Sequence, residues 1–342
     1  MSTTRAQGLP RVLAGRREHL LALLADGEFH SGETLARRLR MSRGGIWKLV
    51  QSLRGLGVEL TSVPNRGYRL ARPVDLLDRE TILAALSAAS RDRLERFELL
   101  TVVDSTNAFL AAQPVPPCGR ASACVAEIQT HGRGRRGRTW MAPFGSGICL
   151  SISWQFATVP PTLPALSLAI GVAAARALHR CGADPVGVKW PNDLVWEHRK
   201  LGGILIEMRG ESAGPAHVVV GIGINTHLPA AVRLALAGQQ AALVADVRDI
   251  LRERTPARSA LVGVLLDECI DTLQVFGERG FEHFRETWAS LDSLANTPVK
   301  VITGAQTVLG IARGVAEDGT LLVEVDGALR RFVSGEVSVR AF

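Results

Sequence analysis

The positive charge of this 342-residue chain is concentrated in its first fifth. Residues 1–72 contain 13 Arg and Lys against 5 Asp and Glu, whereas the remaining residues contain 27 against 28. This asymmetry predicts a small basic unit that contacts nucleic acid, joined to a nearly neutral body. A basic face that is merely solvated is the alternative interpretation until the pattern of apolar residues is considered.

Length and apolar content define the class of protein. With 46% apolar residues, the chain can form about two to three domains, each with its own core. The longest near-uniform apolar stretch, 163–175, has 13 residues, short of the roughly 20 that cross a bilayer. No signal peptide is visible, and five cysteines without a C-x-x-C pair favour reduced thiols. We expect a cytoplasmic protein without a membrane partner.

Residues 17–72 carry the pattern of three short helices and a hairpin. Apolar residues at helical spacing predict helices over 18–25, after Ser31 and after Ser42, with the two serines as N-caps. Two short alternating runs around a basic tip at 64–67 predict the hairpin. This order defines a winged helix-turn-helix, in which the third helix enters the major groove. A small helical domain that contacts protein is the alternative.

Exposed polar and basic side chains of this unit are candidates for DNA contact. The residues expected to bind DNA are Ser42, Arg43, Lys48 and Arg66. Gly44 and Gly45 lie inside the third helix, where each costs about 1 kcal/mol relative to Ala and favours a frayed first turn without DNA. The same glycines would also let the backbone approach the floor of the groove.

The body contains an arginine-glycine segment between two apolar runs. Residues 132–138 hold four arginines and three glycines, a composition that forms neither a stable helix nor a packed strand. Guanidinium groups are bidentate donors to phosphate and carboxylate. Alone, such a segment is typical of a disordered RNA-contacting tract. The strands predicted at 123–126 and 148–152 instead favour a flexible loop that folds over a ligand.

Later segments offer a second cation and polar anchors. Lys189 follows a predicted strand, and the Trp-Pro pair after it places Asn192 and Asp193 in a turn. Lys200 precedes another predicted strand, where a solvated edge position is the alternative. The Gly-x-Gly at 221–223 is too weak for a dinucleotide site. Motifs of P-loop hydrolases, zinc peptidases and serine hydrolases are absent from the sequence.

The end of the chain changes character. Four short alternating runs after residue 297, separated by Asp-Gly turns, predict a small antiparallel barrel of SH3-like type.

A helix is predicted over 79–89, after the basic unit. The expected divisions are a flexible N-terminal extension (1–16), a winged helix-turn-helix (17–72), a catalytic domain (73–296) and an SH3-like domain (297–342).

Five segments in a fixed order resemble the bacterial biotin protein ligases. They are Asp104–Asn107, Gln129 with Gly132–Arg138, Lys189–Asp193, Lys200–Gly203 and Gly221–Asn225. With the winged helix in front, the chain is similar to the bifunctional biotin ligases and biotin-operon repressors over about residues 17–340. The resemblance implies an α/β (α+β) fold with a central mixed-sheet catalytic domain.

The resemblance implies a two-step reaction. Biotin and ATP, with Mg²⁺, form biotinyl-5′-AMP, and a lysine of the biotin carboxyl carrier protein of acetyl-CoA carboxylase then attacks the mixed anhydride. The bifunctional type implies that a homodimer with bound biotinyl-AMP binds operator DNA and represses biotin genes. A ligase whose winged helix no longer regulates that operon and a biotin-sensing transcription factor without ligase activity are the alternatives.

The resemblance also implies a role for each matching residue. The biotin site would be lined by Ser105, Thr106, Asn107, Gln129, Arg133, Gly134, Arg135 and Lys200. ATP would be held by Arg135, Arg138, Trp140, Lys189, Asn192, Asp193 and Asn225. Arg135 and Lys200 are expected to be catalytic, and Asp193 to bind Mg²⁺. The segment 226–243 would form a loop over the adenylate. It lacks the tryptophan that the family often has near its end, which weakens the expected coupling to dimerisation.

Overall fold

A computed structural model describes residues 11–209, 214–240, 243–303, 306–333 and 337–341. The helices are α1 (Arg11–Leu24), α2 (Gly32–Leu39), α3 (Arg43–Gly55), α4 (Arg79–Ala84), α5 (Ala88–Arg93), α6 (Thr106–Ala111), α7 (Leu166–Arg180), α8 (Ala230–Gln240), α9 (Val247–Leu251), α10 (Arg258–Arg279) and α11 (Glu282–Leu291). The strands are β1 (Leu60–Val63), β2 (Gly67–Leu70), β3 (Leu94–Val103), β4 (Ala121–Gln129), β5 (Gly147–Phe156), β6 (Gly187–Lys189), β7 (Asp193–Trp196), β8 (Arg199–Arg209), β9 (Ala216–Asn225), β10 (Pro298–Thr303), β11 (Gln306–Val315), β12 (Leu321–Val325), β13 (Ala328–Phe332) and β14 (Val337–Ala341).

The predicted winged helix-turn-helix is confirmed in α1–α3 and the β1–β2 hairpin. Ser31 Oγ accepts a hydrogen bond from Thr34 N and Ser42 Oγ accepts one from Gly45 N, so both serines cap their helices as expected. The first helix begins at Arg11 rather than at residue 18. Residues 11–16, expected in a flexible extension, are therefore helical, and the rest of that extension lies outside the described residues.

The first turn of α3 is helical despite its two glycines. A Cβ added to Gly44 would meet nothing nearer than Ser42 Oγ at 4.0 Å, whereas one on Gly45 would lie 3.1 Å from Met41 Cε. Gly44→Ala is therefore expected to raise the free energy of unfolding in urea by up to about 1 kcal/mol. Gly45→Ala is the matched control and is expected to gain less. Equal or lower stability of Gly44→Ala would contradict this account.

The body is built on a seven-stranded mixed sheet in the order β3-β4-β5-β9-β8-β7-β6. Strands β3 and β4 are parallel, and the other neighbouring pairs are antiparallel. Side chains alternate between the two faces of each strand. One face packs on α7 and α10, while Cys124 and Val219 on the other face contact Leu110 of α6. The mixed sheet that the resemblance implied is therefore confirmed.

The prediction of one helix over 79–89 is wrong in one respect, because the two short helices α4 and α5 replace it. Ser87 Oγ accepts a hydrogen bond from Ser90 N and starts α5. Its own backbone N–H donates to Asp267 Oδ1 of α10 at 3.0 Å. A contact 180 residues away in sequence therefore fixes the break.

The C-terminal strands form a five-stranded antiparallel sheet in the order β13-β12-β11-β10-β14, one strand more than predicted. The turn between β11 and β12 packs against the body. Trp190 Nε1 donates to Gly319 O at 3.0 Å, and a Cβ on Gly319 would lie 2.5 Å from Ala165 Cβ. The C-terminal sheet is thus fastened to the turn that precedes Asn192. Along the part of the chain that the structure describes, no helix has the length and apolar character to cross a membrane.

Asp292 is a half-buried acid between the body and the C-terminal sheet, and its Oδ2 atom is fully buried. Its Oδ1 accepts a hydrogen bond from Leu294 N, while Oδ2 has no partner among the described residues. Burial raises the pKa of Asp292 from 3.8 to about 6. The folded state therefore binds its proton more tightly than the unfolded state. Stability from this group is fully present below pH 3.8 and is lost as the pH rises to about 6.

Asp292→Asn keeps the acceptor and removes the charge. We expect it to raise the free energy of unfolding at pH 7 by about 1–3 kcal/mol and to flatten the pH dependence between pH 4 and 6. Urea unfolding at several pH values measures both effects. Asp318→Asn is the control, because hydrogen bonds from Thr320 lower the pKa of Asp318. Its substitution is therefore expected to lower the free energy of unfolding at pH 7, opposite to the effect at position 292. If Asp292→Asn had the same pH dependence of the free energy of unfolding as the parent, the charge of Asp292 would not affect stability.

Candidate active site

A cleft opens where the start of α6, the end of β4 and strands β5, β8 and β9 meet beneath the arginine-glycine segment. It is a concave cleft, open to solvent on one side, and concave sites of this kind commonly bind small molecules. The residues predicted for biotin or ATP that line it are Ser105, Thr106, Asn107, Gln129, Arg133, Gly134, Arg135, Arg138, Trp140, Asn192 and Lys200.

A hydrogen-bonded network forms the buried end of the cleft. Thr106 N donates to Gln129 Oε1 at 2.8 Å, and Ser151 Oγ donates to Asn107 Oδ1 at 2.6 Å. Thr106, Asn107 and Ser151 are all buried. Because these amide and hydroxyl groups are already oriented by one another, they can recognise a small polar ligand without first being ordered.

Two glycines of β9 let side chains of the cleft lie directly on the strand. A Cβ on Gly221 would lie 2.3 Å from Asn107 Oδ1, and one on Gly223 would lie 2.3 Å from Trp140 Cε2. Any larger residue would displace the amide or the indole ring. The Gly-x-Gly that is too weak for a dinucleotide site is therefore required for close packing in this one.

The arginine-glycine segment is a loop, as predicted, apart from a single 3₁₀ turn at Arg135–Gly137. Trp140 N donates to Gly132 O at 2.9 Å and Gly134 N donates to Arg138 O at 2.6 Å. These backbone hydrogen bonds close the loop over the cleft. Arg136, at its tip, has φ of +60°, a left-handed conformation that is uncommon for a residue with a side chain.

Two cations and two polar residues meet at the mouth of the cleft. Lys200 Nζ donates to Asp193 Oδ1 at 2.7 Å and lies 5.9 Å from the centre of the Trp140 ring. Arg135 Nη1 donates to Asn192 Oδ1 at 3.4 Å. Burial lowers the pKa of Arg135, and the charge of Asp193 opposes that shift. Two fixed cations beside one carboxylate leave a positive site that suits an oxyanion.

The backbone of Lys200 is held by the chain that follows α8. Lys200 N donates to Leu243 O at 2.9 Å, and Ala245 N donates back to Lys200 O at 2.9 Å. Asn225 Nδ2 donates to Ala245 O at 3.0 Å. Asn225 is only 4% exposed and does not line the cleft, and neither does Lys189 in β6.

The prediction of a loop over 226–243 is wrong, because most of that segment forms helix α8. Its residue Leu236 packs with Leu228, Val244 and Met141 in a small apolar cluster. Residues 241–242 lie outside the described part of the chain. The segment that the resemblance assigned to the adenylate is thus largely a helix, and its apolar cluster includes Met141, the residue after Trp140 of the cleft.

Glu207 is a residue of the site that sequence analysis missed. Its Oε2 accepts from Asn107 Nδ2 at 2.9 Å, and its Oε1 lies 3.2 Å from Arg133 Nη1. It thereby joins the buried network to the arginine-glycine loop. No signal in the sequence marked it, because its partners Asn107 and Arg133 lie 100 and 74 residues away in sequence.

The residues predicted to bind DNA lie on the surface of the winged helix-turn-helix. Arg43 and Lys48 are exposed on α3, and Arg66 at the hairpin tip lies 4.2 Å from the centre of the Phe29 ring. Ser42 is also exposed, but its Oγ caps α3. Trp47, which was not predicted, is 53% exposed on the same helix.

Three family profiles match the three parts of the chain. The Biotin/lipoate A/B protein ligase family matches residues 99–225, an HTH domain matches 16–69, and the Biotin protein ligase C terminal domain matches 296–340. The fold and the cleft therefore define a ligase domain of the biotin and lipoate type, preceded by a helix-turn-helix domain.

Similar proteins and solved structures show to which family within this class of ligases the chain belongs. The bifunctional ligase/repressor BirA of Escherichia coli (strain K12) is 40% identical over 324 residues, which cover 94% of this chain and 96% of that protein. BirA of Bacillus subtilis (strain 168) is 28% identical and covers 94% and 98%. A biotin protein ligase from Aquifex aeolicus in complex with biotin and ATP matches with a TM-score of 0.60 and 27% identity, covering 72% of this chain and all of that one. The chain belongs to the family of bifunctional biotin protein ligases and repressors.

Proposed function

We propose that the protein is an ATP-dependent biotin protein ligase that forms biotinyl-5′-AMP and transfers biotin to a lysine of the biotin carboxyl carrier protein of acetyl-CoA carboxylase. The observation that carries this is the cleft in which Lys200 and Arg135 converge at one end and a buried amide network forms the other. One end suits an anionic reaction centre, and the other suits a small polar ring.

The proposed chemistry needs orientation and charge stabilisation more than proton transfer. The biotin carboxylate attacks the α-phosphorus of ATP and pyrophosphate leaves; a carrier lysine amine then attacks the acyl carbon and AMP leaves. Lys200 would bridge the biotin carboxylate and the α-phosphate, and Arg135 would donate to phosphate oxygens. A well-placed donor of this kind is worth about 2.7–4 kcal/mol in the transition state.

The remaining contacts are proposed from position. Ser105, Thr106, Asn107, Gln129, Arg133 and Gly134 would hold biotin. Arg138, Trp140, Asn192 and Asp193 would hold ATP, whereas for Lys189, which does not line the cleft, this role rests on the resemblance alone. Asn225 would act indirectly, because its amide holds the Ala245 carbonyl and so the strand partner of Lys200.

The site fits a magnesium ion that binds together with the nucleotide. The described residues contain no group of three or more His, Cys, Asp or Glu that could hold a metal. Mg²⁺ commonly binds through substrate phosphates and about one or two protein carboxylates, and Asp193 at the mouth of the cleft can supply one. Bound there, the ion would neutralise charge on the phosphates.

The direct test mixes the protein with ATP, Mg²⁺, biotin and a biotin carboxyl carrier domain, and probes the carrier with avidin. Labelling that requires all three small molecules supports the ligase. Biotin binding without any labelling would favour the biotin-sensing transcription factor instead.

Arg135→Gly is expected to release free biotinyl-AMP into solution. The loop it belongs to covers the cleft, and its guanidinium is the loop's contact with Asn192. Biotinylation of lysines on a bystander protein measures the leak. Arg136→Gly is the matched control: the side chain is exposed, and glycine tolerates its φ of +60°. Retention equal to the parent protein would count against a sequestering loop.

We further propose that biotinyl-AMP promotes a homodimer that binds operator DNA and represses biotin genes in the cytoplasm. The exposed cations of α3 and the hairpin tip support DNA contact, and two such units in a two-fold dimer fit a palindromic site. Sedimentation with and without biotinyl-AMP tests the dimer. Binding to the biotin operator in increasing salt tests the contact, because each neutralised phosphate adds about −0.9 to the log-log slope.

A further inference from the structure

A second cleft lies where the winged helix-turn-helix joins the body, and it shares no lining residue with the candidate active site. Arg72, directly after β2, forms one wall. Thr226 and His227, after β9, form the opposite side together with Arg248 and Arg258. We call this the junction cleft. Its walls come from both functional units of the chain.

Four arginines line the junction cleft against two acids, Asp75 and Glu253, so its cations exceed its acids. Arg258 is paired with Glu127 at 2.8 Å. Arg248 Nη2 lies 3.7 Å from a carboxylate of Glu253 that is 92% exposed, a pair that contributes little. Arg72 donates to Gly145 O at 3.4 Å and forms no ion pair with a described carboxylate.

Arg72, Arg248 and Arg258 line the same cleft, so like charges lie near one another. Burial lowers the pKa of Arg72, Glu59 opposes the shift, and Arg258 and Arg248 add repulsion. Burial also lowers the pKa of His227, with further repulsion from Arg72 and Arg248 and attraction from Asp246. An anion bound here would relieve this repulsion.

Two neutral groups complete the cleft. His227 Nδ1 lies 2.8 Å from Arg248 Nη1 and accepts its hydrogen bond, which orients the guanidinium. Thr226 is 4% exposed, and its Oγ1 is buried without a hydrogen-bond partner among the described residues. A buried polar group without a partner costs about 1–3 kcal/mol. A ligand oxygen would remove that cost.

We propose that the junction cleft binds a phosphate group. Arg72 and Arg248 supply planar, bidentate donors, and the Thr226 hydroxyl supplies a further one. Arg72, without an ion pair to a described carboxylate, and Arg248, with one long ion pair to the exposed Glu253, match a phosphate dianion better than they match a carboxylate ligand. Arg72 belongs to the DNA-binding unit, and Thr226 directly follows β9 of the catalytic body. A bound phosphate therefore ties the DNA-binding unit to the catalytic body. The phosphate can be free orthophosphate or a backbone phosphate of DNA on the winged helix.

Calorimetric titration with inorganic phosphate, at constant ionic strength in chloride, tests the site. We expect saturable binding that weakens at least about tenfold in Arg72→Gln and in Arg248→Gln, and severalfold in Thr226→Val. Arg330→Gln, an exposed cation on β13, is the charge-matched control and should bind like the parent. Circular dichroism melts without phosphate separate loss of binding from loss of folding. Absence of saturable binding by the parent, or equal loss in Arg330→Gln, overturns a free-phosphate ligand.

A second arm distinguishes the source of the phosphate. Binding to a mixed-sequence DNA duplex is measured against salt for the parent, Arg72→Gln and Arg43→Gln. If DNA supplies the phosphate, Arg72→Gln reduces the log-log slope by about 0.9, as loss of one contact requires. An unchanged slope with intact orthophosphate binding identifies the free ion. An unchanged slope without orthophosphate binding overturns the site altogether.

Discussion

Replacing Lys200 by methionine is expected to lower the rate of biotinyl-AMP formation by about 100- to 1,000-fold. The ammonium is oriented by Asp193 at 2.7 Å and lies near the Trp140 ring, so it is fixed before substrate binds. Its proposed contacts strengthen as charge develops during phosphoryl transfer. The loss is therefore expected in kcat more than in the affinity for biotin. Biotin-dependent release of pyrophosphate measures kcat, and calorimetry measures affinity.

The neighbouring cation of β8 provides the control for Lys200. Arg199 lies 4.4 Å from the centre of the Trp196 ring and pairs with Glu197 and Asp249, and it does not line the cleft. Arg199→Met is therefore expected to leave pyrophosphate release within about threefold of the parent, since it removes no transition-state contact. If Lys200→Met were as active as Arg199→Met, the cation would have no role in adenylation.

Replacing Arg258 by methionine is expected to lower the free energy of unfolding by about 3–5 kcal/mol, because it leaves a buried carboxylate unpaired. Arg258 and Glu127 are 5% and 7% exposed and pair at 2.8 Å. Arg258 also donates to Asp75 O and to Gly147 O, and Glu127 accepts from Leu77 N at 2.6 Å. One pair thus anchors the interdomain segment to β4 and β5. Urea unfolding measures the loss.

A double variant separates the charge from the packing. Arg258→Met with Glu127→Leu removes both charges, and part of the lost stability is expected to return. Arg180→Met is the surface control: its half-exposed guanidinium pairs with Glu268 at 2.8 Å, and about 0–1 kcal/mol is expected. A cost for Arg258→Met as small as that of Arg180→Met would show that the buried pair does not anchor the segment.

Local signals in the sequence predicted the elements whose causes are local. Ser31 and Ser42 cap the helices that they were expected to cap, because a side-chain cap needs only the next three residues. The hairpin followed from alternation, and the strands around the arginine-glycine loop followed from their continuous apolar runs. The residue sets that line the cleft could be proposed only through the resemblance, since five separate segments converge there.

Features that depend on distant partners could not be predicted. Glu207 contacts Asn107 across 100 residues of sequence, and Arg258 contacts Glu127 across 131. Neither acid has neighbours in sequence that mark its role. The break at Ser87 depends in the same way on Asp267. Helix α8 was missed because a family pattern with a loop was applied to a segment rich in alanine and leucine, which have high helix propensity.

The contact between Gly319 and Trp190 limits how freely parts of such proteins can be exchanged. Three profiles match three successive stretches of the chain, which suggests that a C-terminal sheet from one relative could replace that of another. Here the carbonyl oxygen of Gly319 accepts a hydrogen bond from the Trp190 indole, and Gly319 has no side chain where it contacts Ala165. A transplanted sheet with a side chain at that turn would push against Ala165 and Leu168, around the start of α7. A donor sheet is therefore compatible with this body only when it also has a glycine at that position.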